Sequence, residues 1–269
     1  MGKFFKFHGW NLVALIVCVS LAGPLDAQSG HDIVFLGEQH DNPAHHERQA
    51  DIVRELQPAA LVFEMLTPDQ AGRVTPTLIA DAAALEAALG WADSGWPDFA
   101  MYHPIFAAAD GAAIYGAAVP RDEARQVISQ GIAQVFGPQA VQFGLTDPLP
   151  ETQQETREAL QLAAHCDAMP AEMLPLMVDI QRFRDAILAK AALDAFRAVG
   201  GPVVVITGNG HARKDWGAPA ALARAAPDLS LFSLGQGETA FGAPDGVFDA
   251  TEIGPDVDRG DPCEAFRSQ

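Results

Sequence analysis

"DIVFLGEQHDNPAHHERQADIVRELQ" (residues 32–57) carries a strand, a turn and a helix in a single reading. The apolar run Ile33–Leu36 is continuous rather than alternating, the pattern of a strand covered on both faces in a parallel sheet. It ends on Gly37 and reaches His40 three residues later. Asn42-Pro43 then marks a helix start, with proline suited to the first turn. Ile52, Val53 and Leu56 recur at helical spacing behind it. A second stretch, "VVVITGNGHARKDWGAP" (residues 203–219), repeats the plan: an apolar run, then G-x-x-H, then a turn into a short helix, "AALARAA" (220–226). Two strands end alike, and this repetition sets the expectations for both fold and site.

Three further runs have the same unbroken apolar character: "AALVFEM" (59–65), "AAIYGAAV" (112–119) and "LSLFSLG" (229–235). Strands alternating with helices predict an α/β protein with an open, mainly parallel sheet flanked by helices. The interval 121–198 departs from the alternation. "EARQVISQGIAQVF", "ETQQETREALQLAAHC" and "AEMLPLMVDIQRFRDAILAKAALDAFRAV" each read as a helix, punctuated by Pro138, Pro148, Pro150 and Pro170. They predict a helical insertion, a smaller subdomain set on the sheet as one wall of a cleft. The Gly-, Pro- and Asp-rich tail after Gly235 is expected to wrap the surface, with an edge strand near "VFDATEI" (247–253).

The chain of 269 residues is 49% hydrophobic, ample for a large core, and carries a formal net charge of −18. Such a surface repels phosphate backbones, which excludes nucleic acid as a partner. Lys3 and Lys6 precede an uncharged, mostly apolar run from Trp10 to Leu25, followed by "DAQS". That layout reads as a signal peptide over residues 1–27, cleaved after Ala27, and predicts a secreted or periplasmic domain over 28–269. The apolar run is short for a membrane span, which needs ~20 residues. An uncleaved anchor is the alternative. Val17 before Cys18 does not suit a lipoprotein signal. Cys166 and Cys263 remain after cleavage and are expected to pair in an oxidising compartment.

Ligands of open parallel sheets bind beyond the carboxyl ends of the strands. Both G-x-x-H motifs stand at such ends, where glycine permits a sharp turn and leaves room near the backbone. Glu38 and His40 are two residues apart and share a side if the strand continues. Glu64 closes "LVFEM", where a carboxylate is out of place. His40, Glu38, Glu64 and His211 are therefore expected to converge at one end of the sheet. His45 and His46 occupy the first turn of the following helix. Adjacent helical residues diverge by ~100°, so they cannot face the same point. Nothing in the sequence chooses which of the two enters the cleft.

Six segments, "LGEQHDNPAHHERQ", "LVFEML", "GWPDFAMYHPIF", "MVDIQRFRDA", "GNGHARKDWGAP" and "RGDPCEAF", occur in an order that resembles the ChaN-like haem-binding family of the Tiki superfamily. The resemblance covers nearly the whole chain after the expected leader, from about Asp32 to Phe266. The resemblance implies an α/β domain with a smaller helical part, haem as ligand, a role in bacterial iron uptake, and a homodimer pairing two haems. It also implies a tyrosine ligand to iron with a histidine assisting. Only Tyr102 and Tyr115 are available. Tyr115 lies inside an expected strand and reads as core, so Tyr102, with His45 or His46, is the expected haem-binding set. The Tiki proteases resemble the chain in their paired G-x-x-H motifs and imply a second function, a metal-dependent hydrolase. There His40 and His211 would be ligands to Zn, Mn or Co, with Glu64 or Glu38 as third ligand or general base.

Overall fold

The computed structural model describes residues 2, 27–260, 263 and 264. The expected leader and its cleavage point lie outside these, apart from residues 2 and 27. The elements run β1 (Ile33–Glu38), α1 (Pro43–Leu56), β2 (Ala60–Phe63), α2 (Pro68–Ala71), α3 (Pro76–Ile79), α4 (Ala82–Leu89), α5 (Phe99–Ala108) and β3 (Ala113–Gly116). There follow α6 (Arg121–Gln130), α7 (Ile132–Phe136), α8 (Glu151–Ala164), α9 (Leu174–Val199), β4 (Val203–Gly208), α10 (Asn209–Ala212), α11 (Ala218–Ala225), β5 (Leu231–Glu238) and β6 (Ala250–Gly254). The six strands form one sheet, ordered β3-β2-β4-β1-β5-β6, with every pairing parallel.

Each residue of β1, β2 and β4 is buried, which is why their sequences show no polar alternation. The period-2 geometry divides those residues between two cores. Val34, Leu36, Leu61, Phe63, Val204 and Ile206 face α1 and α5. Ile33, Phe35, Val62, Val203 and Val205 face α9 and α11. The chain runs from β1 towards β3 with its helices on the first face, then returns through β4 to β5 with its helices on the second. A single crossover hand requires that change of face. β1 and β4 are neighbours, with Glu38 opposite Gly208, and their following helices leave to opposite sides. The two G-x-x-H motifs therefore stand together at the topological switch point, where open α/β sheets form their ligand crevice.

The interval 121–198 is helical throughout its regular structure, as expected. "EARQVISQGIAQVF" differs from the single helix expected: Gly131, at φ 87°, interrupts it between α6 and α7. The last helix, α9, lies on the sheet against β2, β3 and β4. β6 is the expected edge strand. Cys166 and Cys263 are disulfide-bonded and tie the C-terminal segment to the turn after α8.

Candidate functional site

The glycines of the two motifs make room for each other's partners. A Cβ on Gly208 would stand 2.8 Å from Nε2 of His40. One on Gly37 would stand 2.5 Å from Oδ1 of Asn209. Asn209 is held there because its amide donates to the Gln236 carbonyl and accepts from the Gln236 N–H, bridging the end of β4 to β5. The chain turns after both motifs without a left-handed glycine, since neither Gly37 nor Gly208 has a positive φ. Gly208 has φ −66°, an ordinary value, so close approach and not backbone freedom requires glycine.

Glu38, His40, Glu64 and His211 do converge at the carboxyl end of the sheet. Glu38 lies on the α5 side, fully buried, and its Oε1 accepts from Nδ1 of His40 (2.8 Å) and from the Tyr102 hydroxyl (2.8 Å). Nδ1 of His46 stands 3.3 Å from Glu38 Oε2. Burial by itself would raise the Glu38 pKa; the His40 and His46 contacts outweigh it and hold the carboxyl at about 2. His40 shows the reciprocal effect. Burial would lower its pKa, but the Glu38 bond and the charges of Glu64 and Asp41 lift it to about 9.

Glu64 lies on the α9 side. Its Oε2 accepts from the Thr207 hydroxyl (2.6 Å) and the Gly208 N–H (2.8 Å), and its Oε1 is 3.6 Å from Nε2 of His211. Asp185 of α9 holds the other ring nitrogen of His211 at 2.6 Å. Burial would lower the His211 pKa, yet Glu64 and Asp185 raise it, while burial raises that of Asp185. Both histidines thus have Nδ1 fixed by a carboxylate. A cleft of about 380 Å³ opens beside them, with Trp96, Arg121 and Arg184 on its walls.

The expected haem-binding set does not face this cleft. Tyr102, in α5, is fully buried between Trp91 and His46 and donates to Glu38. Burial and the Glu38 charge drive its phenol pKa far upward, so it presents no phenolate. His45 uses both ring nitrogens internally, accepting from the Gln39 N–H and donating to the Gly237 carbonyl. His46 donates to the His40 carbonyl and packs on Tyr102. These two histidines brace the site from behind. Tyr115, expected in the core, packs against its margin and is half-buried. It lines a cavity of about 550 Å³ along the free edge of β3, with Ile114, Phe136, Ile187 and Lys190, and its hydroxyl bonds to none of the described residues.

The metal set also differs from expectation. Among the described residues no three His, Cys, Asp or Glu side chains are placed to hold a metal ion. Glu64 spends one oxygen on Thr207 and Gly208, and Glu38 is turned away towards Tyr102. Asp185 was not expected at all. It lies seven residues from both Val178 and Ala192, on the buried stripe of α9, and a charge on such a stripe is the signal that marks it.

Residues 25–222 match the sequence family described as haem-binding uptake, Tiki superfamily, ChaN. Among solved structures, the ChaN protein of Campylobacter jejuni, a protein with cofacial haem binding, is similar in fold. Its TM-score is 0.59 at 19% identity, covering 80% of this chain and 84% of that one. The type III effector HopBA1 is more distant, with a TM-score of 0.44 at 15% identity over 87% of this chain and 92% of its own. A search of curated proteins matched none to this chain.

Proposed function

The chain belongs to the ChaN-type haem-binding uptake family of the Tiki superfamily, and from that premise we propose that it is a secreted or periplasmic haem-binding protein serving haem or iron acquisition. Haem needs an axial donor free of internal partners beside an apolar slot. Tyr102, His45 and His46 fail that requirement, because each is buried and engaged. Tyr115 meets it. The observation that carries the reading is its phenol, bonded to none of the described residues, on the wall of a mainly apolar cavity of about 550 Å³, where Lys190 is paired with Asp194. When bound there, haem would supply an iron with Tyr115 as its anionic ligand. The chain's own part is to hold the macrocycle between β3, α7 and α9.

Titration with haemin, read by absorption, tests this. Tyr115→Phe should lose the ferric phenolate charge-transfer band, and Tyr102→Phe should keep it. The reverse result would return the ligand to Tyr102, and no haem uptake by the wild type would remove the proposal. Sedimentation with and without haemin reads the homodimer, and N-terminal sequencing of exported protein reads the cleavage after Ala27.

A second reading, a hydrolase, rests on one arrangement: carboxylates fix Nδ1 of both His40 and His211, which flank Glu64. Holding a histidine in one orientation is how acid–base sites are prepared. The donors close on no metal position, so no step through Zn, Mn or Co is derived. Glu64→Gln should abolish any ester or amide hydrolysis, with or without chelator, and leave haem uptake intact.

A further inference from the structure

Helix α8 buries one residue, and that residue is an arginine. Arg157 is 8% exposed, and among the described residues it has neither an ion pair nor a hydrogen-bond acceptor. Its Nε is buried without a partner. The Trp216 ring lies 5.1 Å away, and Asp185 and Asp215 act on the group only through their charge, without touching it. Arg213 lies on the same ring at 3.6 Å, but its charge is answered by two bonds from its guanidinium to Asp215. A buried guanidinium that no carboxylate contacts is costly, and native structures normally pair it directly. Burial draws the Arg157 pKa down to about 10, still protonated at neutral pH.

The unpaired group lines a cavity of about 460 Å³ beyond the end of β4. His211 stands on the wall between this cavity and the cleft over Glu64. Leu160, Ala164, Val178 and Pro244 supply an apolar surface. We propose that this cavity binds an organic monocarboxylate, its carboxylate paired with Arg157 and its apolar body against Leu160 and Val178. Planar, two-pronged recognition of a carboxylate is what a guanidinium does best. Charge matching selects a monoanion. Arg213 is already neutralised, Asp185 is committed to His211, and Asp245 stands exposed at the rim. A phosphate dianion would bring a second negative charge towards those two aspartates with no cation to meet it.

The inference does not rest on haem binding and is tested apart from it. The purified full chain is heated with hexanoate, with the neutral hexanamide, or with inorganic phosphate. Hexanoate near saturation should raise the unfolding midpoint by about 2–4 °C, and the other two should leave it in place. Trp216 fluorescence should change over the same titration. Arg157→Gln should lose the hexanoate shift without losing stability, because it removes a buried charge that no carboxylate contacts. Leu160→Glu is the second variant. Leu160 is 38% exposed, so the fold tolerates the change, and the new carboxylate takes the ligand's place beside Arg157. The proposal is overturned if hexanoate leaves the wild type unshifted, if the shift survives in both variants, or if hexanamide matches it. A shift with phosphate alone would make the cavity a phosphate site and reject the carboxylate.

Discussion

Glu38 is a buried carboxylate with three neighbours competing for it, and the competition fixes how the protein should respond to pH. Its folded pKa, about 2, lies below the ordinary 4.5, so its contribution to stability is present above 4.5 and lost as pH falls towards 2. His40 runs the other way. Its folded pKa, about 9, lies above the ordinary 6.5, so its contribution is complete below 6.5 and lost as pH rises through 9. His46 and His211 are raised too and add to the alkaline loss. Urea unfolding across pH should therefore show a plateau between about 4.5 and 6.5, falling on both sides. His40→Gln should flatten the alkaline limb; a limb unchanged in that variant would place the titration elsewhere. Tyr102→Phe belongs to the same network. It removes a hydrogen bond to a charged acceptor, an interaction worth ~1.5–3 kcal/mol. Tyr115→Phe removes a hydroxyl that bonds to no described residue and should cost under about 0.5 kcal/mol. The difference between the two Tyr→Phe changes, read by denaturant unfolding, separates the buried bracing tyrosine from the half-buried one at the cavity wall.

Single elements follow the same logic of close approach. At the end of β3, a Cβ on Gly116 would lie 2.4 Å from the backbone carbonyls of Leu66 and Thr67, which cannot move without shifting the chain into α2. At the end of β4, a Cβ on Gly208 crowds the tip of the His40 ring and makes an ordinary contact with Glu64 Oε2. Gly116→Ala should thus destabilise by at least about 3 kcal/mol, and Gly208→Ala by about 1–2 kcal/mol. Equal losses in chemical denaturation would contradict this account. Gly208→Ala should also flatten the alkaline limb, because it displaces His40 from Glu38. The strands were legible because burial on both faces leaves no polar positions to interrupt them. The short helices α2, α3 and α4 went unread although Thr67, Thr75 and Asp81 cap them, each accepting from an N–H three residues on. The four residues of α2 and of α3 and the alanine-rich eight of α4 have too little periodicity to announce themselves, and only their caps carry the signal. The site was half legible. Its motif residues converge, yet their roles depend on partners such as Tyr102, 64 residues from Glu38, and Asp185, 26 from His211. No local pattern encodes those pairings.

At the scale of the whole molecule, one covalent link joins regions that packing alone connects weakly. Cys166 sits in the turn after α8, and Cys263 lies beyond the last strand; the bond between them closes a loop with a sequence separation of 97. Between β6 and Cys263 the chain is held to the body chiefly by Arg259, which pairs with Asp41 and Glu238, and by Asn42, which donates to the Pro255 carbonyl. Asn42 also caps α1 and donates to Glu238, so this tail packs against the same turn that carries His40. Cross-linking a loop of that length removes enough unfolded-state entropy to stabilise by ~4–5 kcal/mol in the chain-entropy view. Cys263→Ser should lose most of that amount in denaturant unfolding, and dithiothreitol should produce the same loss in the wild type and none in the variant. The site should tolerate the change, because its strand-end contacts do not pass through the disulfide. His40 and Glu38 should then keep the pH plateau of the parent protein at lower overall stability. A Cys263→Ser protein as stable as wild type would mean that the tail's ion pairs already confine it. If the plateau were lost with the disulfide, the tail rather than the sheet would be positioning His40.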